Sequence, residues 1–139
     1  MNVLQLNVHS LPNKLAEWRR FLQRGTVDVV LLQEWSKHRS ADPPDLKPPL
    51  RAVGYHWFPD LAGDVGVLVK QSLAAQPYRS VKKAHKSLLA VSLLTANGGP
   101  PLVFASYYRN PAGKRTVPVL RTFCAHARRE KAGFVVGGV

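Results

Sequence analysis

Three segments of the sequence place a polar side chain directly after a run of strand-forming residues. Asn7 follows the first run, Gln33-Glu34 closes the second, and Tyr107-Tyr108 closes a later one. Ligands gather at strand ends in open α/β sheets, so these positions are candidates for a functional site. A carboxylate such as that of Glu34 binds hard cations such as Mg²⁺, and a hydroxyl donor can stabilise charge that develops on a phosphate.

Each of these residues also has an ordinary structural explanation. Glu34 fits a solvated acid at the end of a strand, Asn7 fits a turn residue, and Tyr108 fits a packed aromatic residue. The neighbouring Tyr107 leaves the register open by one position. Strand alternation favours Tyr108 for the site, because it puts Tyr108 on the face of Ser106 and Tyr107 on the opposite face.

The elements that hold these positions are predicted from hydrophobic spacing. Residues 4–8 alternate between apolar and polar types, as in a half-buried strand. Residues 11–22 carry apolar side chains at helical spacing, with Ser10 as a candidate N-cap and Gly25 as a stop signal. The run 27–33 is almost continuously apolar, which predicts a strand buried on both faces.

The later elements follow the same spacing rules. Four prolines between residues 40 and 50 predict a loop rather than a helix or strand. The segment Asn97-Gly98-Gly99-Pro100 predicts the turn of a hairpin. The remaining predicted elements are strands at 54–58, 65–69, 88–95, 102–108 and 134–136 and a helix from Thr116 to Gly133. The pattern is α/β with mixed strand pairing.

Charge is the distinctive bulk property of the chain. Its 139 residues, about one domain's worth, include 20 Lys and Arg against eight Asp and Glu, for a net charge of +12. This imbalance favours polyanionic partners such as nucleic acid. One cysteine, Cys124, excludes an internal disulfide and a cysteine-rich zinc site. Without a membrane-spanning run or a secretory pattern, we expect a soluble intracellular protein with no membrane partner.

Five segments, in order along the chain, resemble the endonuclease/exonuclease/phosphatase superfamily. They read LQLNVHSLPNKLAEW, VDVVLLQEW, VGVLVKQSL, FASYYRNPAG and FVVGGV. These sequence segments are most similar to those of the endonuclease domains of LINE-type retrotransposons. The resemblance implies a DNase I-like mixed β-sheet sandwich with flanking helices. It also implies a Mg²⁺-dependent phosphodiesterase that nicks DNA, nuclear if functional, with a linked reverse transcriptase in the parent element.

The resemblance also implies roles for particular residues. Glu34 corresponds to the metal ligand for Mg²⁺, with Mn²⁺ as an alternative ion. Asn7 corresponds to the residue that orients the scissile phosphate, and Tyr108 to a hydroxyl near that phosphate. Arg109 and Asn110 follow in the loop, where contact with DNA phosphate or sugar and a plain solvated loop are equal alternatives.

Some parts of the superfamily pattern do not occur in this chain. Val139 stands where the resemblance implies the aspartate of a Gly-Asp-Phe-Asn motif, and no Ser-Asp-His segment follows. We therefore interpret residues 1–139 as one C-terminally truncated domain, roughly the first half of the fold. We expect it to show no measurable cleavage and to leave an apolar sheet face uncovered, with poor solubility.

Two other functions remain open at this stage. The chain could be a non-catalytic basic module that binds nucleic acid through charge alone. It could also keep the superfamily chemistry but act on a phospholipid or an inositol phosphate. The net charge of +12 and the similarity of the sequence segments to retrotransposon endonucleases favour DNA as the partner.

Overall fold

The computed structural model describes residues 1–36, 44–60, 65–78, 88–95, 98–108 and 116–138, with the side chains of 116–119 excepted. These residues form eight strands and three helices. In chain order they are β1 (Val3–Asn7), α1 (Leu15–Gln23), β2 (Val29–Gln33), α2 (Lys47–Arg51), β3 (Tyr55–Pro59), β4 (Val65–Lys70), β5 (Ala75–Pro77), β6 (Leu88–Leu93), β7 (Leu102–Tyr107), α3 (Thr116–Arg129) and β8 (Gly133–Gly138). A 3₁₀ turn at Pro12–Lys14 leads into α1.

The strands form two mixed four-stranded sheets. The first sheet has the order β1-β2-β4-β3 and the second the order β5-β6-β7-β8. In the first sheet β1 and β2 are parallel, and β4 is antiparallel to both β2 and β3. In the second sheet β7 and β8 are parallel, and the other pairs are antiparallel. The fold is therefore α/β with mixed pairing, as predicted.

The two sheets pack face to face over a shared apolar layer. Val29 and Leu31 of β2 and Val67 of β4 meet Val91 of β6 and Phe104 of β7, and all five are almost fully buried. β2 is also covered on its other face, so each of its five residues is buried. This double burial explains why its sequence is nearly continuous in apolar residues.

Helices cover the outer face of each sheet. Trp18 and Leu22 of α1 and Leu50 of α2 pack with Trp35 and Trp57 against the first sheet. On the second sheet, α3 brings its apolar side chains onto β7, with Phe123 and Ala127 fully buried. This arrangement is a four-layer sandwich of helix, sheet, sheet and helix.

Gly66 of β4 shows how tightly the first sheet packs against its helical layer. A Cβ at this position would lie 2.3 Å from the ring of Trp57 on the neighbouring strand β3. The absence of a side chain therefore lets the Trp57 indole lie across β4. That indole meets the Trp35 ring edge to face at a centroid distance of 5.3 Å.

Two predictions about local structure are wrong. The proline-rich stretch contains α2, because Pro48 and Pro49 lie in its first turn, where a backbone N–H would have no helical partner. Ser10 does not cap the first helix, because no side chain makes a capping hydrogen bond at the start of the 3₁₀ turn or of α1. Instead, the backbone N–H of Ser10 donates to the Glu34 carbonyl.

The expected uncovered sheet face is also absent from the described part of the chain. Each sheet covers the inner face of the other, because both are built from these residues. The exposed large apolar side chains lie mainly on the outermost strands instead, at Val3 and Leu6 of β1 and Val135 of β8. None of the described helices is long and apolar enough to cross a membrane.

Candidate functional site

The carboxyl ends of four strands meet at one edge of the sandwich. β1 and β2 are parallel and end in register at Asn7 and Gln33. β7 and β8 are parallel and end in register at Tyr107 and Gly138. The residues that follow these strands are therefore delivered to a common edge, as the strand-end argument requires.

A buried hydrogen-bond network joins the two sheets just beneath this edge. The Gln33 side-chain amide donates to Ser106 Oγ over 2.9 Å and to the Gly137 carbonyl over 3.2 Å. Ser106 Oγ donates to the Leu32 carbonyl over 2.6 Å, and the Gln5 amide donates to Gln33 Oε1 over 2.6 Å. Gln33 and Ser106 are completely buried. The network therefore fixes the end of β2 relative to the ends of β7 and β8.

The Glu34 carboxylate is surrounded by hydrogen-bonding side chains from three segments. It is hydrogen-bonded to the Tyr108 hydroxyl and to the Asn7 side chain. His9 Nδ1 lies 2.8 Å from Glu34 Oε2. The Tyr108 hydrogen bond lowers the pKa of Glu34 most, and Asn7 and His9 lower it further, although burial acts in the opposite direction. The Glu34 carboxyl group therefore stays ionised at pH values below the usual pKa of a glutamate.

The backbone around Glu34 adopts conformations that side chains other than glycine rarely take. The φ angles of His9, Ser10 and Glu34 are 48°, 83° and 51°. Strain of this kind costs on the order of 1–3 kcal/mol per residue and persists only where neighbouring contacts impose it. Here the N–H groups of Ser10 and Leu11 donate to the carbonyls of Glu34 and Trp35 over 2.9 and 2.7 Å. The two strand ends thus hold each other in place.

Asn7 leaves one buried oxygen for a ligand. Its Oδ1 atom is buried and accepts no hydrogen bond from any residue that the structure describes. A buried acceptor without a partner is costly unless an ion or a donor satisfies it. The atom belongs to the same side chain that hydrogen-bonds Glu34, so a carboxylate and an amide oxygen are available together. These are ligand types that Mg²⁺ prefers, and the residues therefore fit such an ion.

The site is not a metal cage made of protein ligands alone. Within the described ranges, no group of three or more His, Cys, Asp or Glu side chains is positioned to hold an ion. Mg²⁺ usually keeps several waters and needs only one or two carboxylates beside the phosphates of a substrate. The arrangement suits an ion that is shared between Glu34, Asn7 and a bound phosphate.

Comparison with known proteins identifies the architecture. No protein-family model and no curated protein matches the sequence. The chain is similar to the endonuclease domain of TRAS1, a telomere-specific non-LTR retrotransposon, at 18% identity and a TM-score of 0.68. It is also similar to an endonuclease/exonuclease/phosphatase family protein from Leptotrichia buccalis, at 15% identity and a TM-score of 0.57. The chain therefore has the same fold as these proteins.

The same fold occurs in D. rerio TDP2 complexed with single strand DNA product, at 23% identity and a TM-score of 0.56. Each alignment includes at least 98% of this chain. The chain spans 57%, 65% and 58% of the length of the TRAS1, L. buccalis and TDP2 chains, respectively. The predicted DNase I-like sandwich is therefore confirmed over almost the whole of the present sequence.

Within this fold, the three residues predicted for the site lie together. Asn7, Glu34 and Tyr108 come from different strand ends, and the side chains of Asn7 and Tyr108 both contact the Glu34 carboxylate. Their catalytic and metal-binding roles stay predictions. Arg109 and Asn110, predicted to contact DNA, lie outside the described residues.

The sequence patterns did not point to His9 as a site residue. Its ring lies against Glu34 only because the chain turns through left-handed backbone conformations at residues 9 and 10. Such conformations are signalled in sequences mainly by glycine. The segment Val8-His9-Ser10 contains none, so no local pattern pointed to this contact.

Proposed function

We propose that Asn7, Glu34 and Tyr108 form the metal- and phosphate-binding site of a Mg²⁺-dependent DNA endonuclease. The observation that carries the proposal is the contact of Asn7 and Tyr108 with one ionised carboxylate, beside a buried Asn7 oxygen that has no partner among the described residues. A cation and a phosphate would satisfy both features at once.

Each side chain has a separate task in this proposal. Glu34 binds the cation through its carboxylate, and Asn7 Oδ1 supplies a second oxygen. When bound, Mg²⁺ or Mn²⁺ polarises the phosphodiester and assists the attacking water. The Tyr108 hydroxyl donates a hydrogen bond to a phosphate oxygen and so stabilises the charge that develops during hydrolysis.

DNA is the proposed substrate because of charge and because of the similar structures. A net charge of +12 attracts a polyanion, since binding releases the counterions condensed on it. One similar structure is a retrotransposon endonuclease domain, and another contains single strand DNA product. We extend the proposal to target nicking in a retrotransposon, with Arg109 and Asn110 as DNA contacts, a linked reverse transcriptase and a nuclear location.

We expect this chain to retain binding of a cation and DNA but to lack hydrolysis. The resemblance implies an aspartate at the position of Val139, and that side chain would position or activate the attacking water. Valine can do neither. Loss of a general acid or base typically costs about 10²–10⁴-fold in rate. We therefore expect the 139-residue chain to bind a divalent cation and DNA without measurable cleavage.

Replacement of Glu34 by glutamine tests the proposal. Glu34→Gln keeps the size of the side chain but removes the charge, so Mg²⁺ affinity in isothermal titration calorimetry should fall at least about tenfold. Glu17→Gln is the matched control, because Glu17 is an exposed acid on α1. Unchanged Mg²⁺ binding by Glu34→Gln would exclude Glu34 as the metal ligand.

A basic module that binds nucleic acid without catalysis is the alternative, and the net charge favours it equally. The two functions differ in how DNA binding responds to Mg²⁺. If the chain is the proposed endonuclease, Mg²⁺ strengthens DNA binding by the unsubstituted protein and has no such effect on Glu34→Gln. In the basic module, Mg²⁺ only competes for phosphate, and both proteins respond alike. Fluorescence anisotropy with a labelled duplex distinguishes these outcomes.

A further inference from the structure

His9 contacts Glu34 but has no task in the proposed function. Its Nδ1 atom lies 2.8 Å from Glu34 Oε2, although two thirds of the His9 side chain is exposed. An exposed histidine has many other rotamers and could lie in solvent. The two atoms share a proton in this hydrogen bond, and a cation that binds both of them would take the place of that proton.

The backbone directs the His9 ring towards the site. His9 and Ser10 both have positive φ angles, and the segment is held by hydrogen bonds at Val8, Ser10 and Leu11. The N–H of Val8 donates to the Gln33 carbonyl over 3.0 Å, and the next two bonds go to the residues that follow Gln33. On the other side, Lys14 Nζ donates to the Val8 carbonyl over 3.0 Å. The position of His9 is thus set by the same contacts that set Glu34.

We propose that His9 is a nitrogen ligand at the cation site, so that the site prefers first-row transition ions such as Co²⁺ and Zn²⁺ more than its oxygen ligands alone would allow. This inference rests on the proposed cation site at Glu34. It adds an imidazole to the carboxylate of Glu34 and the amide oxygen of Asn7.

The chemistry of the ligands supports this assignment. Mg²⁺ is a hard ion that selects oxygen ligands and holds its waters strongly. Imidazole nitrogen binds Zn²⁺, Co²⁺ and Ni²⁺ better, in the order of the Irving–Williams series. A single ring beside one carboxylate and one amide oxygen gives a mixed nitrogen and oxygen site. The ion that the site selects is then decided by one residue, His9, which the backbone holds in place.

His9→Asn tests the inference directly. Asparagine tolerates a left-handed backbone well and offers an oxygen but no ring nitrogen. Co²⁺ and Mg²⁺ are titrated separately into the 139-residue chain by calorimetry, and the visible spectrum of bound Co²⁺ is recorded. The affinity for Co²⁺ should fall about tenfold and that for Mg²⁺ much less, so the Co²⁺ to Mg²⁺ ratio falls. The Co²⁺ spectrum should change as the nitrogen ligand is lost.

A second variant keeps the inference falsifiable if His9→Asn folds poorly. His9→Asp also tolerates the backbone and replaces the ring by a carboxylate, so Mg²⁺ affinity should rise while the Co²⁺ to Mg²⁺ ratio falls. His56→Asn is the matched control, because His56 lies on β3, at the opposite edge of the first sheet from β1. It should leave the ratio and the spectrum unchanged.

Comparison of the unsubstituted protein with Glu34→Gln distinguishes failure of the His9 inference from failure of the proposed cation site. If Glu34→Gln abolishes binding of both ions and His9→Asn leaves their ratio and the Co²⁺ spectrum unchanged, His9 is not a ligand and only this inference is overturned. If Glu34→Gln leaves both ions bound as in the parent, the cation site is wrong, and the proposed function and this inference are overturned together.

Discussion

The properties of Glu34 depend on both its side-chain partners and its backbone. Its φ of 51° is unusual for a glutamate and is maintained by the hydrogen bond from Ser10 to its carbonyl. The Tyr108 hydroxyl makes the largest contribution to the lowered pKa of its carboxylate. A carboxylate that is ionised and held in place before a ligand arrives needs less reorganisation on binding a cation.

Tyr108→Phe is expected to raise the pKa of Glu34 towards its ordinary value, because it removes the largest lowering contribution. In the parent, the folded-state pKa lies below the unfolded-state value. Ionised Glu34 therefore stabilises the fold above the unfolded-state pKa, and this stabilisation is lost as the pH falls through the folded-state pKa. The variant should lose less stability on acidification. A carboxyl NMR titration measures the pKa directly.

Tyr107→Phe provides the control for this measurement. Tyr107 precedes Tyr108 but packs on the opposite face of β7, with the residues that contact α3. Its hydroxyl should have no effect on Glu34. An unchanged Glu34 pKa in Tyr108→Phe would contradict the assigned hydrogen bond.

Among the elements, those with strong periodic patterns were predictable. The alternation along β7 placed Ser106 and Tyr107 on opposite faces, and the structure confirms this: Ser106 reaches Gln33 and Tyr107 packs towards α3. The continuous apolar run of β2 was equally clear. The short helix α2 was not predictable, because its five residues include two prolines and its stability comes from the packing of buried Leu50.

The same distinction applies to the candidate site. Asn7, Glu34 and Tyr108 could be found because each follows a strand with a readable pattern. The His9 contact could not, since it depends on two left-handed residues without glycine. The network around Gln33 could not be found either, because its partners Ser106 and Gly137 are distant in sequence and meet only when the two sheets pack.

Ser106→Ala tests how strongly this network holds the two sheets together. The substitution removes the hydrogen bonds of Ser106 Oγ with the buried Gln33 amide and with the Leu32 carbonyl, so one Gln33 N–H loses its acceptor. A buried group without a partner costs about 1–3 kcal/mol, so the free energy of unfolding should fall by that amount in urea denaturation. Ser72→Ala is the control, since Ser72 is exposed and its removal should change stability by less than about 0.5 kcal/mol. Equal effects would contradict a structural role for the network.

At the scale of the whole molecule, charge governs association and the sandwich governs stability. The chain carries +12 on 139 residues, whereas the proposed cation site depends on a single carboxylate. Electrostatic attraction brings a polyanion to the surface without selecting a sequence. Discrimination between substrates must therefore come from the local geometry at the strand ends.

DNA affinity is expected to depend steeply on salt. If binding neutralises six or more phosphates, raising the salt from about 50 to about 200 mM should weaken it by at least about 10³-fold. Fluorescence anisotropy over a series of salt concentrations gives the slope of log K against log salt. A slope near zero would mean that the positive charge takes no part in binding.

The three tryptophans, Trp18, Trp35 and Trp57, all lie in the layer between the first sheet and its helices. The layer between the second sheet and α3 contains none of them. Indole emission will therefore report the melting of only one side of the sandwich, and far-ultraviolet circular dichroism must be recorded beside it. If the two curves separate in urea, the halves lose their order at different denaturant concentrations, and two-state treatment of the variants no longer applies.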